Sequence, residues 1–546
     1  MISNGKQILI ELGSDKVSYK PGDIVKIKYN IVNTSRKDFE NIKLEFYIED
    51  ALCNILYKKE KTLDISNFKK QISGIIEWKT PKCMMRGFVA RAKACQNQKL
   101  ISCSSLIFEV VENQALVPKY GFFATFDINE HVKFKVERLA RFHINYIQFY
   151  DWFERHGDYT PKKRKYYILN KPVYLNTLLE KISVSKQKGI KCLAYTTIYS
   201  VDEKIYLKNR DWALTDKNDK PIRFANWLYI VNPGKECDFH SYLLNELKES
   251  ISIFDWDGFH LDQYGEKLTR NTYWKNRKFN TATSFVDLIN QAKNSLKKDI
   301  VFNLVDAWPL ETIAREAAVS FIYVELWSYQ TYASVQNVIR KARKLSKKPV
   351  VVAAYTDTHV PSVLLLDAEI FANQGLRIEI GEGNGYLTDP YFPNYDKMPK
   401  SLELKLQNYY DVITRYEEFI YSSDVKYIDV PRFISVNRHF SYSPEPNTIQ
   451  VIPYEKEDTL IIHLINFSNI HEMLWKKHQP EPFEQKDITL RINMENVEDY
   501  KIKAYVVETE KTHEPKALNP VVNKNVVNVK IPKLKYWDII LIKKSK

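Results

Sequence analysis

Apolar and polar positions alternate one for one through the opening segment of the chain. Val25, Ile27, Tyr29 and Ile31 alternate with Lys26, Lys28 and Asn30; Ile42, Leu44, Phe46 and Ile48 alternate with Lys43, Glu45, Tyr47 and Glu49. A period of two places every second side chain on the same face, so each run predicts a strand with one dry and one wet side. Pro21-Gly22-Asp23 is a turn signal. Several short strands of this kind over residues 1–112 predict an immunoglobulin-like β-domain.

The pattern changes at about residue 113, where apolar runs begin to alternate with helical periods. The runs Tyr120–Asp127, Tyr146–Trp152, Lys191–Tyr199, Gly258–Gly265, Ile300–Asp306, Val319–Trp327, Pro349–Thr356 and Leu376–Glu382 predict eight strands. Between them, Leu175, Leu178, Leu179 and Ile182 stand at i, i+3, i+4 and i+7, with Gly189 as a C-terminal stop. Eight strands, each trailed by a helix, predict a central (β/α)8 TIM barrel over 113–422. No Gly-rich phosphate loop follows the first strand, which argues against a doubly wound sheet. Residues 423–546 return to alternation, as in Leu460–Phe467, Ile488–Ile492, Val526–Ile531 and Ile539–Ile542. They predict a C-terminal β-sandwich domain.

Composition adds less. The net charge is +14, from 81 Lys and Arg against 67 Asp and Glu. The basic residues are scattered and no reading motif accompanies them, so nucleic acid is not an expected partner. The six cysteines form no CxxC pair, and their spacing fits no zinc site. Four lie in the first segment, which leaves room for one disulfide. No run reaches the roughly 18 apolar residues of a membrane helix. The start, Met1-Ile2-Ser3-Asn4-Gly5-Lys6, lacks the apolar core of a signal peptide. The chain reads as soluble, and as either intracellular or a form whose signal has been removed. Nothing in it sets the oligomeric state, for which a monomer is the simplest expectation.

A barrel enzyme carries its chemistry at the C-terminal ends of its strands. Two acids interrupt otherwise apolar strand ends there: Asp262 in Gly258-Phe259-His260-Leu261-Asp262-Gln263-Tyr264-Gly265, and Glu325 in Tyr323-Val324-Glu325-Leu326-Trp327. Burying a charge costs several kcal/mol unless it is paired or used. Carboxylates on strands two apart can face each other across the mouth, as glycoside cleavage requires. The other strand ends offer Tyr150, Asp151 and Trp152 on the second, Tyr195 and Tyr199 on the third, and His260 and Gln263 on the fourth. Asn303 and Asp306 come from the fifth, Trp327 from the sixth, Tyr355 and Asp357 from the seventh with His359 beyond, and Glu379 from the eighth. Acids and rings at one rim suit a pyranose, which offers hydroxyls at its edge and C–H groups on its faces.

These stretches resemble glycoside hydrolase family 66, the bacterial dextranases and cycloisomaltooligosaccharide glucanotransferases. The resemblance is carried by Tyr120-Gly121-Phe122-Phe123 with Phe126-Asp127, by Gln148-Phe149-Tyr150-Asp151-Trp152 with His156, by Asp257 to Gly265, and by Glu379-Ile380-Gly381-Glu382. It implies a retaining mechanism with Asp262 as nucleophile and Glu325 as acid/base. Tyr150, Asp151, Trp152, Tyr195, His260, Gln263, Asn303, Trp327 and Glu379 are the expected substrate contacts. Phe302-Asn303-Leu304-Val305-Asp306 is similar to a family stretch, but the chain departs from it at Ala307-Trp308. The implied substrate is α-1,6-glucan, dextran or isomaltooligosaccharides, with no cofactor or metal required. The family's glucanotransferases usually carry a carbohydrate-binding module inserted late in the barrel. About one helix separates the seventh and eighth strands here, so the expected activity is endo-acting hydrolysis, a dextranase. The alternative is transglycosylation by the same acid pair, giving cyclic or longer isomaltosaccharides. A non-catalytic carbohydrate-binding protein is a third reading, against which both acids stand.

Overall fold

The computed structural model describes residues 7–35, 37–65, 70–268, 270–428, 434–494 and 497–545. The chain is multidomain and mostly β. Its centre is a curled eleven-stranded sheet compatible with a barrel. Eight consecutive parallel segments build it: Tyr120–Phe123, Tyr146–Phe149, Lys191–Thr197, Gly258–Asp262, Asp299–Val305, Ile322–Glu325, Val350–Ala353, and an eighth in two pieces, Gly375–Arg377 and Ile380–Gly381. The first piece of the eighth pairs with the seventh strand, and the second piece pairs with the first strand. One short stretch of chain therefore bridges the two ends of the parallel array. Two short antiparallel strands, Gly385–Tyr386 and Asp396–Lys397, extend the sheet beyond it.

A helix follows each of the eight segments, from Val132–Arg141 after the first to Lys400–Arg415 after the eighth. The predicted second helix runs Leu175–Gln187, and Gly189 sits at φ +72° behind it, a conformation that costs glycine nothing. The helix after the sixth strand, Tyr332–Ser346, opens on a capping box between Thr331 and Ser334. The strands are shorter at their C-terminal ends than the apolar runs suggest. Asp151, Gly265 and Asp306 all have positive φ, so the chain turns out of the sheet there.

The seam between first and eighth strands is tight. A Cβ on Gly381 would come within 2.3 Å of the Phe122 ring. Just beyond, the buried Glu382 accepts hydrogen bonds from the backbone N–H groups of Ala124 and Thr125, at 2.9 and 2.8 Å. Lys135 and Lys181 pair with its other oxygen at 2.6 and 2.7 Å. Its carboxyl is held down at about 2 by these two ammonium groups, against the effect of burial.

Residues 8–111 form a three-stranded and a five-stranded sheet around one apolar core. Val25, Ile27, Tyr29 and Ile31, and Ile42, Leu44, Phe46 and Ile48, all point into it, as their alternation requires. Burial of each such side chain is worth about 1.5–3 kcal/mol. The C-terminal segment likewise builds a seven-stranded and a four-stranded sheet around a core of its own. All six cysteines are free thiols, so the room for a disulfide in the first segment is not used.

The N-terminal unit meets the central sheet at the start of its first strand. There the buried Lys119 lies between Glu109 and Glu417. That contact is at the opposite end of the strands from Asp262 and Glu325, so it leaves their C-terminal ends open. Among the described residues, no helix is long and apolar enough to cross a membrane.

Candidate active site

Asp262 is the last residue of the fourth strand and Glu325 the last of the sixth. The fifth strand lies between them and carries Asn303. The Asn303 amide nitrogen donates to Asp262 Oδ1 at 2.7 Å and to Glu325 Oε2 at 3.1 Å. Two oxygens bound to one nitrogen cannot lie farther apart than those lengths end to end, about 5.8 Å. The shared amide thus brings the two carboxylates close together, as a retaining pair requires. Tyr195 donates its hydroxyl to Asp262 Oδ2 at 2.6 Å, and Tyr355 donates to Glu325 Oε1 at 2.7 Å. Each carboxylate thus has its own tyrosine and shares the central amide.

Both acids border a cleft of about 670 Å³ at the C-terminal ends of the strands. Burial raises Asp262 to about 7, and the Glu325 charge adds to the rise; the hydrogen bonds from Tyr195 and Asn303 pull the other way. Burial also raises Glu325, opposed by Tyr355 and Asn303. Two buried carboxyls this close disfavour being ionised together, so one of them is the readier to carry a proton. A cationic sugar ring forming over Asp262 would favour the anion there and leave the proton on Glu325.

The remaining expected contacts divide into three groups. Tyr150, Tyr195, His260, Gln263, Asn303 and Trp327 all border the cleft. His260 is pushed down to about 3 by burial and is neutral, its Nδ1 3.1 Å from the Tyr120 hydroxyl. Gln263 bonds the Asn303 carbonyl at 3.0 Å and its side-chain oxygen accepts from Gly265 N at 2.6 Å, which fixes the loop after Asp262. Trp327 is 40% exposed. Trp152 and Glu379 depart from the expectation. The Trp152 ring is fully buried among Phe153, Tyr159, Phe254 and Trp256, with Nε1 donating to the Tyr195 carbonyl at 3.0 Å. It supports the third strand from behind. Glu379 is fully buried beside Arg377, at 3.3 Å, and Tyr410, at 3.1 Å, where it serves a structural ion cluster.

Asp151 is a third buried acid, next in sequence to the cleft residue Tyr150 but outside the cleft lining. Burial and then the Asp262 charge raise it to about 7. In the unfolded chain it titrates near 4. Between those values the folded state holds a proton that the unfolded state lacks, so stability falls as pH rises from 4 to 7 and is flat above. We expect Asp151→Asn to melt at least about 2 °C above the wild type at pH 8 and to lose that advantage at pH 4. Calorimetric melting at the two pH values checks it; a difference independent of pH contradicts it.

Several cleft residues were not among the expected contacts. Tyr391 and Phe392 come from the excursion after the eighth strand, and Phe224 from the excursion after the third. Phe392 stacks on Tyr150 with ring centres 4.6 Å apart, and Phe224 stacks on Tyr264 at 4.1 Å. Long loops carry no periodicity that would have marked these rings.

The family profile of glycosyl hydrolase family 66 matches residues 14–541. The chain belongs to this family. Family 66 thus accounts for nearly the whole length, including both terminal β-units. A curated cycloisomaltooligosaccharide glucanotransferase of Niallia circulans is 22% identical over 717 residues, covering 100% of this chain and 72% of the relative. That alignment is 171 positions longer than the chain, so the relative carries segments this family 66 member lacks. A second glucanotransferase of the same name and organism is 23% identical over 74% of this chain and 44% of the relative. The fold is shared with the crystal structure of a Paenibacillus sp. cycloisomaltooligosaccharide glucanotransferase in complex with cycloisomaltoheptaose. The TM-score is 0.88 at 20% identity, over 97% of this chain and 99% of that one.

Proposed function

We propose that this family 66 enzyme opens α-1,6-glucosidic linkages of isomaltosaccharides by double displacement. Asp262 attacks the anomeric carbon while Glu325 protonates the departing oxygen. Glu325 then takes a proton from the incoming hydroxyl, which displaces Asp262 with net retention. The observation that carries this reading is the single Asn303 amide hydrogen-bonded to both carboxylates at the mouth of the cleft. Tyr195 and Asn303 stabilise the Asp262 anion, and the low-dielectric cleft keeps a proton available to Glu325. Tyr150, Asp151, His260, Gln263 and Trp327 would surround the sugar.

The architecture that suits this chemistry is a (β/α)8 barrel over 113–422. An immunoglobulin-like domain would precede it over 1–112, and a β-sandwich would follow over 423–546. The bridging eighth segment and the eight trailing helices support the barrel.

The glycosyl-enzyme can be resolved by water or by a sugar hydroxyl. The relatives' names favour the sugar hydroxyl, so we read the chain as a glucanotransferase first. One observation favours endo-hydrolysis: a single helix, Val360–Ala372, joins the seventh and eighth strands, with no inserted module. Incubation with dextran, isomaltotriose, pullulan and starch, followed by chromatography, decides. Cyclic or longer isomaltosaccharides mean transfer, and short linear ones mean hydrolysis. Absence of any product from both dextran and isomaltotriose refutes the reading.

A further inference from the structure

The strand end that carries Glu325 is gripped by a part of the chain far away in sequence. Between two strands of the C-terminal unit, residues 470–484 leave their own sheet and hook over the rim. Trp475 is fully buried there and donates Nε1 to the Tyr329 carbonyl at 2.6 Å, while its backbone N–H donates to Gln330 O at 3.0 Å. The Met473 carbonyl accepts from Tyr332 N at 3.1 Å. At the neighbouring strand end, Gln479 N donates to Ser362 Oγ in the first turn of the helix Val360–Ala372 at 2.9 Å, and in the loop before it His478 pairs with Asp357 and stacks on His359 with centres 4.4 Å apart. The hook is thus pinned to the loops following both the sixth and the seventh strands.

At its tip the exposed Lys476 places its ammonium between two indoles, 5.2 Å from the centre of the Trp475 ring and 5.7 Å from that of Trp327, and 3.5 Å from the Trp327 carbonyl. Among the described residues it has no carboxylate partner, unlike its neighbour Lys477, which pairs with Glu472. Trp327 stands two residues beyond Glu325, borders the cleft, and is held from the other side by Asp306, whose Oδ1 accepts from Trp327 N at 3.2 Å and Ser328 N at 2.8 Å. An acid that protonates the departing oxygen must lie on the leaving-group side of the bond. A ring beside it is therefore on the acceptor side.

We propose that the C-terminal unit completes the acceptor site of this enzyme, with Trp327 as the platform for the incoming sugar and Lys476 as the residue that sets its affinity. This rests on the double-displacement reading above. A lysine over an indole face strengthens the platform, and its remaining donors can reach sugar hydroxyls. The partition of the glycosyl-enzyme between water and acceptor would then depend on a side chain outside the central sheet.

The test uses the full chain and a nitrophenyl α-isomaltoside as donor, with isomaltotriose as acceptor. The ratio of transfer to hydrolysis products reports on the intermediate alone, however fast it forms. Lys476→Ala is expected to raise the isomaltotriose concentration at which the two products are equal by about two- to fivefold, the factor equivalent to one exposed cation–π contact. Trp475→Phe, which keeps the packing and loses the bond to Tyr329, should shift it in the same direction by less. An unchanged ratio in Lys476→Ala overturns the proposal. Failure of the wild type to release nitrophenol, or product of inverted configuration, refutes the double displacement itself and is a separate outcome.

Discussion

Asp262→Asn is expected to lose at least about 10⁴-fold in turnover on every substrate, because no other group can form the glycosyl ester. Glu325→Gln behaves differently according to the leaving group. On dextran, which needs its departing oxygen protonated, the loss should reach about 10²–10⁴-fold. On a nitrophenyl glycoside the first step needs no acid, so the glycosyl-enzyme should form and accumulate. Azide needs no general base, and it should restore turnover of Glu325→Ala while yielding the α-glycosyl azide. The pH profile adds a check with a defined sign. The Glu325 charge helps to raise Asp262. Its removal in Glu325→Gln should move the acid limb of the nitrophenyl reaction from near 7 to lower pH. Near-normal dextran cleavage by either variant, or an unmoved acid limb, would show that the two roles are misassigned.

The second large effect is expected at Asn303. Its amide gives each carboxylate a charge-assisted hydrogen bond, at 2.7 and 3.1 Å, and each such bond is worth about 1.5–3 kcal/mol. Asn303→Ala leaves Asp262 with Tyr195 and Glu325 with Tyr355 and removes the donor that the two side chains share. Kinetic parameters on isomaltosaccharides should show kcat/KM down about 10²–10³-fold. The same amide lowers both carboxyls. Without it both limbs of the pH profile should move to higher pH. A fall in rate with an unmoved profile would mean that Asn303 only shapes the cleft.

Much of the fold was legible because its dominant signal is periodic. The eight apolar runs correspond one for one to the parallel segments, and the Leu175–Ile182 period marks a helix. What periodicity does not report is where a strand stops. Asp151, Gly265 and Asp306 leave the sheet by a change of φ, and the apolar run continues through them. The acid pair was legible because a charge inside an apolar strand end needs a reason. The same rule misled at Glu379, where the reason is Arg377 two residues earlier on the same face. Trp152 shows a second limit. An aromatic residue after a strand reads the same whether its ring meets a sugar or, as here, Phe254 and Trp256. The hook that brings Lys476 to the rim could not be read at all, since contacts across more than a hundred residues leave no local pattern.

The seam between the first and eighth strands has a consequence for lifetime. Gly121 pairs with Ile380, and Glu382 clasps the backbone at Ala124 and Thr125. Chain entropy opposes joining residues so far apart, and that cost must be met before the contact returns anything. Such a closure belongs late on the folding route, after the helices and neighbouring strand pairs have formed. Contacts absent from the barrier crossing have little influence on how quickly the native state is reached and strong influence on how slowly it is left. The Lys135–Glu382–Lys181 clasp therefore works as a brake on opening, and it protects the mouth that the two acids share for as long as it holds.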